Sequence, residues 1–133
     1  MSQENVEIVR RANELWSEGN LDAWAKHWDP EVVVMAPEGW PEGEVSRGLD
    51  AWRRQTERLR DSWDDARAEI DDIRPVGRDR VVTRFRYVTR GKDPGMTFDT
   101  PMAAMFVLRE GVITRAEYFW ELAEALEAAG LSE

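Results

Sequence analysis

The sequence predicts an α+β domain: helices first, then an antiparallel meander, then a short C-terminal helix. Three observations predict it. Apolar residues recur at helical spacing as far as Trp63, the hydrophobic period shifts toward two from Ala66 onward, and short turn-forming clusters separate the later segments. The 133 residues are read as one domain spanning 1–133, long enough to bury about two thirds of the unfolded surface.

In the first helix, Val6, Val9, Ala12, Leu15 and Trp16 form a stripe between Ser2, a cap candidate, and Gly19, a stop. Asn20 suits the cap of a short second helix with Leu21, Trp24, Ala25 and Trp28 on its stripe, closed by Pro30. Val-Val-Val-Met-Ala at 32–36 reads as a short strand, and 37–48 as a loop rich in turn formers. The third helix carries Leu49, Trp52, Thr56, Leu59 and Trp63 along one face. Strands follow at about 67–74, 80–90, 97–109 and 112–120, with turns at Val76–Asp79, around Asp93-Pro94-Gly95 and at Glu110-Gly111. Glu121 to Ala129 forms the last helix, ended by Gly130. Positions Met102 to Leu108 are apolar without alternation, so both faces of that strand must be covered. The chain's helices account for one face, and a second subunit packed through the back of the sheet is the expectation for the other.

Composition narrows the function. With 27 acidic against 18 basic residues, net −9, no basic footprint exists for a phosphate backbone, and no nucleic-acid partner is expected. The absence of cysteine removes disulfide and thiolate chemistry and fits a reducing, cytoplasmic setting. The N-terminus lacks the basic and apolar regions of a signal peptide, and no window approaches the roughly 18 apolar residues of a membrane span. With a single histidine and no suitable carboxylate spacing, neither a metal nor another cofactor is expected. Seven tryptophans in so short a chain stand out.

The order of elements, together with Glu-Asn-Val-Glu-Ile-Val-Arg-Arg-Ala (4–12), Gly-Asn-Leu-Asp-Ala (19–23), Asp-Pro-Glu-Val (29–32), Leu-Arg-Glu-Gly-Val-Ile (108–113) and Glu-Ala-Leu-Glu-Ala-Ala-Gly-Leu (124–131), resembles the SnoaL-like and ketosteroid-isomerase-like branch of the nuclear transport factor 2 superfamily. The resemblance implies a cone of three N-terminal helices on a curved antiparallel sheet, a pocket between them, and dimers through the sheet. It also implies isomerisation, dehydration, cyclisation or hydrolysis of hydrophobic small molecules such as polyketides or steroids, or binding alone. The seats that hold catalytic tyrosines and aspartates in ketosteroid isomerases fall on Ala12, Trp28, Ala36 and Ala104, and relatives of the subgroup carry a tyrosine and a histidine where Asn13 and Ala104 stand. Acid–base chemistry by that machinery is therefore not expected.

The pocket expected from this reading is lined by Ala12, Trp16, Trp28, Ala36, Met102, Ala104, Phe106, Ala116, Tyr118 and Trp120, with Trp40 at its rim. Catalytic candidates are sparse: Tyr118 as a donor on an apolar wall, His27 as a proton carrier at the edge of the second helix, and Asp99 on the opposite strand parity. Arg84 and Arg86 share an outer face with acids such as Glu69, Asp71 and Glu117 within reach. Three functions compete: a homodimer binding a hydrophobic small molecule, an isomerase, dehydratase or cyclase with a non-standard polar set, and a purely structural dimerisation module.

Overall fold

Helix α1 (Ser2–Glu18) buries Val6, Val9, Ala12, Leu15 and Trp16, each no more than 8% exposed. It ends where Gly19 turns to φ +83°, a conformation that suits glycine, and the Asn20 amide donates to the Leu15 carbonyl at 2.9 Å. This computed structural model describes residues 2–40, 45–93 and 95–130. The cap expected of the Ser2 side chain, residues 41–44 of the 37–48 loop, the turn residue Pro94 and the tail residue Leu131 fall outside what it describes.

Asn20 caps α2 (Leu21–Ala25) by accepting from the Ala23 amide at 3.2 Å. That helix is shorter than its stripe suggested. The His27 carbonyl accepts from Ile113 at 2.9 Å and Trp28 pairs with Ile113, so sheet pairing overrides helical propensity, and Trp28 opens β1 (Trp28–Met35) instead of closing α2. Its side chain is still buried, at 5% exposure. Pro30 sits where the β1 ladder is irregular, between Trp28 and Val33, the place where a residue without an amide proton is tolerated. The stretch read as loop holds a short strand, β2 (Val45–Arg47), before α3 (Leu49–Asp61). Trp63 lies just past the end of α3, against Phe98 at 5.7 Å.

Four strands follow, β3 (Asp65–Val76), β4 (Arg80–Arg90), β5 (Thr97–Arg109) and β6 (Val112–Phe119), then α4 (Leu122–Ala128). The curved sheet has the order β2-β1-β6-β5-β4-β3. Every pairing is antiparallel except β1 with β6, which is parallel, so the sheet is mixed rather than wholly antiparallel. Short turns dictate antiparallel neighbours only for β3 to β6. The meander begins at the far edge and returns β6 to lie beside β1 in the same direction.

The apolar run on β5 has a cover on each side. Met102, Ala104 and Phe106 belong to the main core under α1, α2 and α3. Ala103 and Met105 belong to a second cluster with Val82, Ala125 and Ala129, joined by Leu122 and Leu126 of α4. The chain's own last helix thus occupies the surface for which a second subunit was invoked, and the run from Met102 to Leu108 does not by itself call for one. Among the described residues no helix is long and apolar enough to cross a membrane.

Candidate functional site

Between the three N-terminal helices and the concave side of the sheet lies a cavity whose space for the centres of water-sized molecules is about 120 Å³, well above the roughly 10–15 Å³ that one water needs. Its walls follow from periodicity. Val9, Ala12, Asn13 and Trp16 on α1, and Trp52, Gln55, Thr56 and Leu59 on α3, occupy positions i, i+3, i+4 and i+7 and so share one helical face. Thr83, Phe85 and Tyr87 alternate along β4, leaving Arg84 and Arg86 on the outer face.

Eight expected residues line the cavity: Ala12, Trp16, Trp28, Ala36, Trp40, Met102, Phe106 and Tyr118. Three do not. Ala104 lies in register between Thr83 and Tyr118, and Ala116 between Phe106 and Val34; these larger partners reach the cavity while the buried methyls stop short. Trp120 follows the end of β6, is 40% exposed, donates to the Glu38 carbonyl at 2.9 Å and packs against Trp40 at 5.9 Å, so it backs the rim from outside. Among the seats that the resemblance assigns to acids and tyrosines, Ala12, Trp28 and Ala36 face the cavity as apolar groups.

The sequence reading missed Trp24, Trp52, Phe85 and Tyr87, assigning them to core stripes or leaving their strand face unassigned. With Trp28, Phe106 and Tyr118, three of these residues, Trp24, Trp52 and Phe85, make a continuous aromatic wall, while Tyr87 packs on Trp16 at 6.1 Å. Trp24 and Trp28 have centroids 5.4 Å apart, Trp28 and Trp52 5.7 Å, Trp52 and Tyr118 6.1 Å, and Phe106 and Tyr118 6.1 Å. Centroid separations of 4.5–7 Å are those of favourable aromatic pairs. The signal that would have found them is the opposition of Thr83, Phe85 and Tyr87 to the outward arginines, and the polar pair Gln55-Thr56 set on an apolar helix stripe.

Several polar groups in the wall have partners. Trp16 Nε1 donates to Thr56 Oγ1 at 2.5 Å, Asn13 Nδ2 to the Ala68 carbonyl at 2.7 Å, and Ser46 Oγ to Gln55 Oε1. The indole nitrogens of Trp28 and Trp52 and the Tyr87 hydroxyl are buried without a hydrogen-bond partner among the described residues. A buried donor left without an acceptor costs about 1–3 kcal/mol. Among the described residues, the only titratable groups in the lining are the two tyrosines. Burial pushes both hydroxyls well above the ordinary tyrosine value, with Arg60 partly opposing the effect at Tyr87, so both stay protonated near neutral pH.

The other two catalytic candidates lie elsewhere. His27 is half-buried outside the lining, and desolvation, then Arg11, lowers its pKa. Asp99 is exposed on the outer face, where Arg86 donates to it at 2.7 Å and also reaches Glu69 at 2.9 Å and Asp71 at 3.3 Å. Glu117 pairs instead with Arg115 at 2.7 Å. Tyr118, His27 and Asp99 therefore do not converge on one point. Among the described residues no three histidine, aspartate or glutamate side chains are grouped as a metal site.

Solved structures of similar fold include a protein of Jannaschia sp. CCS1 described as a SnoaL-like polyketide cyclase, with TM-score 0.76, 20% identity and coverage of 99% of this chain and 95% of that one. TerC, co-crystallised with polyporic acid, gives 0.77 at 18% identity, covering 96% and 99%. A ketosteroid-isomerase-like protein of Catenulispora acidiphila in complex with trimethylamine gives 0.74 at 21% identity, covering 95% and 94%. At these identities the likeness speaks for the fold alone. No curated protein matches the chain in sequence. The SnoaL-like domain family matches residues 9–116, and with most of the chain inside that match, the chain belongs to this family.

Proposed function

We propose that the chain binds a small, largely apolar organic molecule in the cavity between its helices and sheet, and does so without acid–base chemistry by its own side chains. The observation that carries this reading is the lining itself: a contiguous aromatic wall with no carboxylate, amine or imidazole among the described residues. A general base must lie within hydrogen-bonding reach of the proton that it removes. The two tyrosines, held protonated, are donors and not bases.

A cyclase-type role is the second reading, supported by the described SnoaL-like cyclase of the same fold and by the donors on the wall. In that role the protein would fold a flexible substrate against the aromatic surface and polarise a carbonyl; the enol carbon of the substrate would bond to the carbonyl carbon, the C=O π bond would open, and the enol O–H proton would pass to the new alkoxide oxygen.

Filling the cavity tests the binding reading. Ala12 is 3% exposed and lines the cavity from α1, so Ala12→Leu projects extra volume into it. Native mass spectrometry of gently purified chain, followed by titration with uncharged bicyclic aromatics, is expected to show one molecule bound per chain. In Ala12→Leu that binding is lost while far-UV circular dichroism is unchanged. Failure of every uncharged aromatic to bind, or binding that Ala12→Leu leaves intact, overturns the proposal.

A further inference from the structure

Nearly every residue that lines the cavity is held in a helix or a strand. Among the described residues the exceptions are Ala36, Pro37 and Trp40, which follow the end of β1 at Met35. Pro37 and Trp40 are the two ends of one tight turn, in which the Trp40 amide donates to the Pro37 carbonyl at 3.1 Å and Gly39 takes φ +84°. A positive φ at the third position is what a type II turn requires. Glu38 and Gly39 are exposed, Pro37 is buried and Trp40 is half-buried, so the turn reaches from solvent to the cavity wall.

Trp120 holds this turn down. The parallel register of β1 with β6 ends at Met35 opposite Glu117. Three residues farther along each strand, the Trp120 indole N–H takes the place of a ladder rung by donating to the Glu38 carbonyl at 2.9 Å. Its ring also packs on that of Trp40 at 5.9 Å, tilted by 37°. Trp120 is 40% exposed and lies outside the lining, so it acts on the cavity through this turn. Pairing of β1 with both its neighbours ends at Met35. The turn can therefore lift without a ladder bond being broken, whereas displacing the rest of the wall would break helix or strand hydrogen bonds.

We propose that the 37–40 turn is a hinged cover over the cavity, latched by Trp120, and that a molecule enters and leaves when Trp40 swings off the Trp120 ring. The occupant rests on the binding reading above; the opening motion does not. One neutral hydrogen bond and one ring pair, both partly open to water, favour the closed turn by roughly 10- to 100-fold. The open state is then populated at about 1–10%, as in lids that gate a site on the microsecond to millisecond scale.

The exchange rate of a ligand tests the latch. 1-Fluoronaphthalene, an uncharged bicyclic aromatic, is followed by ¹⁹F NMR: titration gives Kd, exchange spectroscopy gives koff, and the two together give kon. A weaker latch raises the open fraction of the free and the occupied chain alike, so in Trp120→Ala both rate constants are expected to rise about 10-fold, with Kd changed by less than about 2-fold. Trp120→Phe keeps a ring, loses the N–H, and should raise both by less; it carries the comparison alone if Trp120→Ala does not fold. A side chain that merely touched the ligand would raise koff and Kd together and leave kon unchanged. In the ligand-free ¹⁵N-labelled chain, the Trp120 indole resonance, assigned by its loss in Trp120→Phe, is expected to show millisecond relaxation dispersion, while that of Trp24, 2% exposed, stays flat. Unchanged rates, a rise in koff alone, or a flat Trp120 resonance overturns the cover and leaves the binding reading standing. If no uncharged bicyclic aromatic binds the native chain, the binding reading fails and the Trp120 dispersion alone decides whether the turn opens.

Discussion

The two sides of β5 are built from the same seven-residue run and have opposite fates. On the concave side, Met102 and Phe106 face a cavity ringed by aromatic side chains, with three buried donors left without acceptors among the described residues. On the other, Ala103 and Met105 are sealed under α4, and farther along the sheet the surface turns ionic, with Arg86 holding Glu69, Asp71 and Asp99. Close packing under α4 marks the outer side, although Arg80 Nε is buried there without a hydrogen-bond partner among the described residues. On the concave side the packing leaves a cavity, and Trp28, Trp52 and Tyr87 hold the other three such atoms.

Truncations on the two sides are the strongest test of that contrast. Trp24, 2% exposed, packs on Trp28 and Trp52, and Trp24→Ala is expected to cost about 3–5 kcal/mol and lower Tm by at least about 10 °C. Met105, 3% exposed beneath α4, is expected to cost about 2–4 kcal/mol as Met105→Ala. Urea denaturation gives both values, and only the Trp24 change should alter ligand binding. If Met105→Ala were neutral to stability but changed the mass measured by light scattering, the surface beneath α4 would be a subunit interface after all.

That surface also shows what the sequence discloses and where it stops. Strands β4 and β5 fall on the boundaries that alternation and turn chemistry suggest, α1 matches its stripe and α3 matches its own as far as Leu59, because these elements are set by local periodicity. Trp28 was misplaced because the deciding contact, its pairing with Ile113, is 85 residues distant in the chain. The same long-range pairing makes the sheet mixed. The demand for cover on both sides of Met102 to Leu108 was legible, but which element supplies it depends on where α4 returns. In the cavity, the eight lining residues followed from matching positions to the resembled family, with strand parity sorting Met102, Phe106 and Tyr118. The unpaired state of the Trp28, Trp52 and Tyr87 donors was not readable, since it depends on what each side chain fails to meet in three dimensions.

The tyrosines sharpen the contrast by a different route. The chain has two, Tyr87 and Tyr118, and both line the cavity. Burial raises their pKa in the folded state above the ordinary value near 10. The unfolded chain therefore gives up these protons first, so this contribution to stability is complete below about pH 10 and is lost as pH rises beyond it. Phenolate absorbance is expected to stay absent at pH 10 and to appear together with loss of the near-UV dichroism. Half-ionisation of either tyrosine at pH 10 in a still folded chain would mean that the concave wall is open to water.

The smallest effect is expected on the ionic side. Arg86 donates to three carboxylates, but its side chain is 36% exposed and those of Glu69, Asp71 and Asp99 are 45%, 42% and 50% exposed. Solvent weakens such pairs, and freeing the arginine returns side-chain entropy that the cluster had removed. Arg86→Ala should therefore lower Tm by less than either core truncation. The remaining drop reflects three acids left facing one another without their common partner. Because that repulsion acts through water, it should vanish near 1 M salt, where the screening length is about 3 Å. Thermal melts at low and high salt measure the difference. A large drop that salt does not reduce would show that the Arg86 cluster is shielded from solvent, as it would be if a second chain covered this part of the sheet.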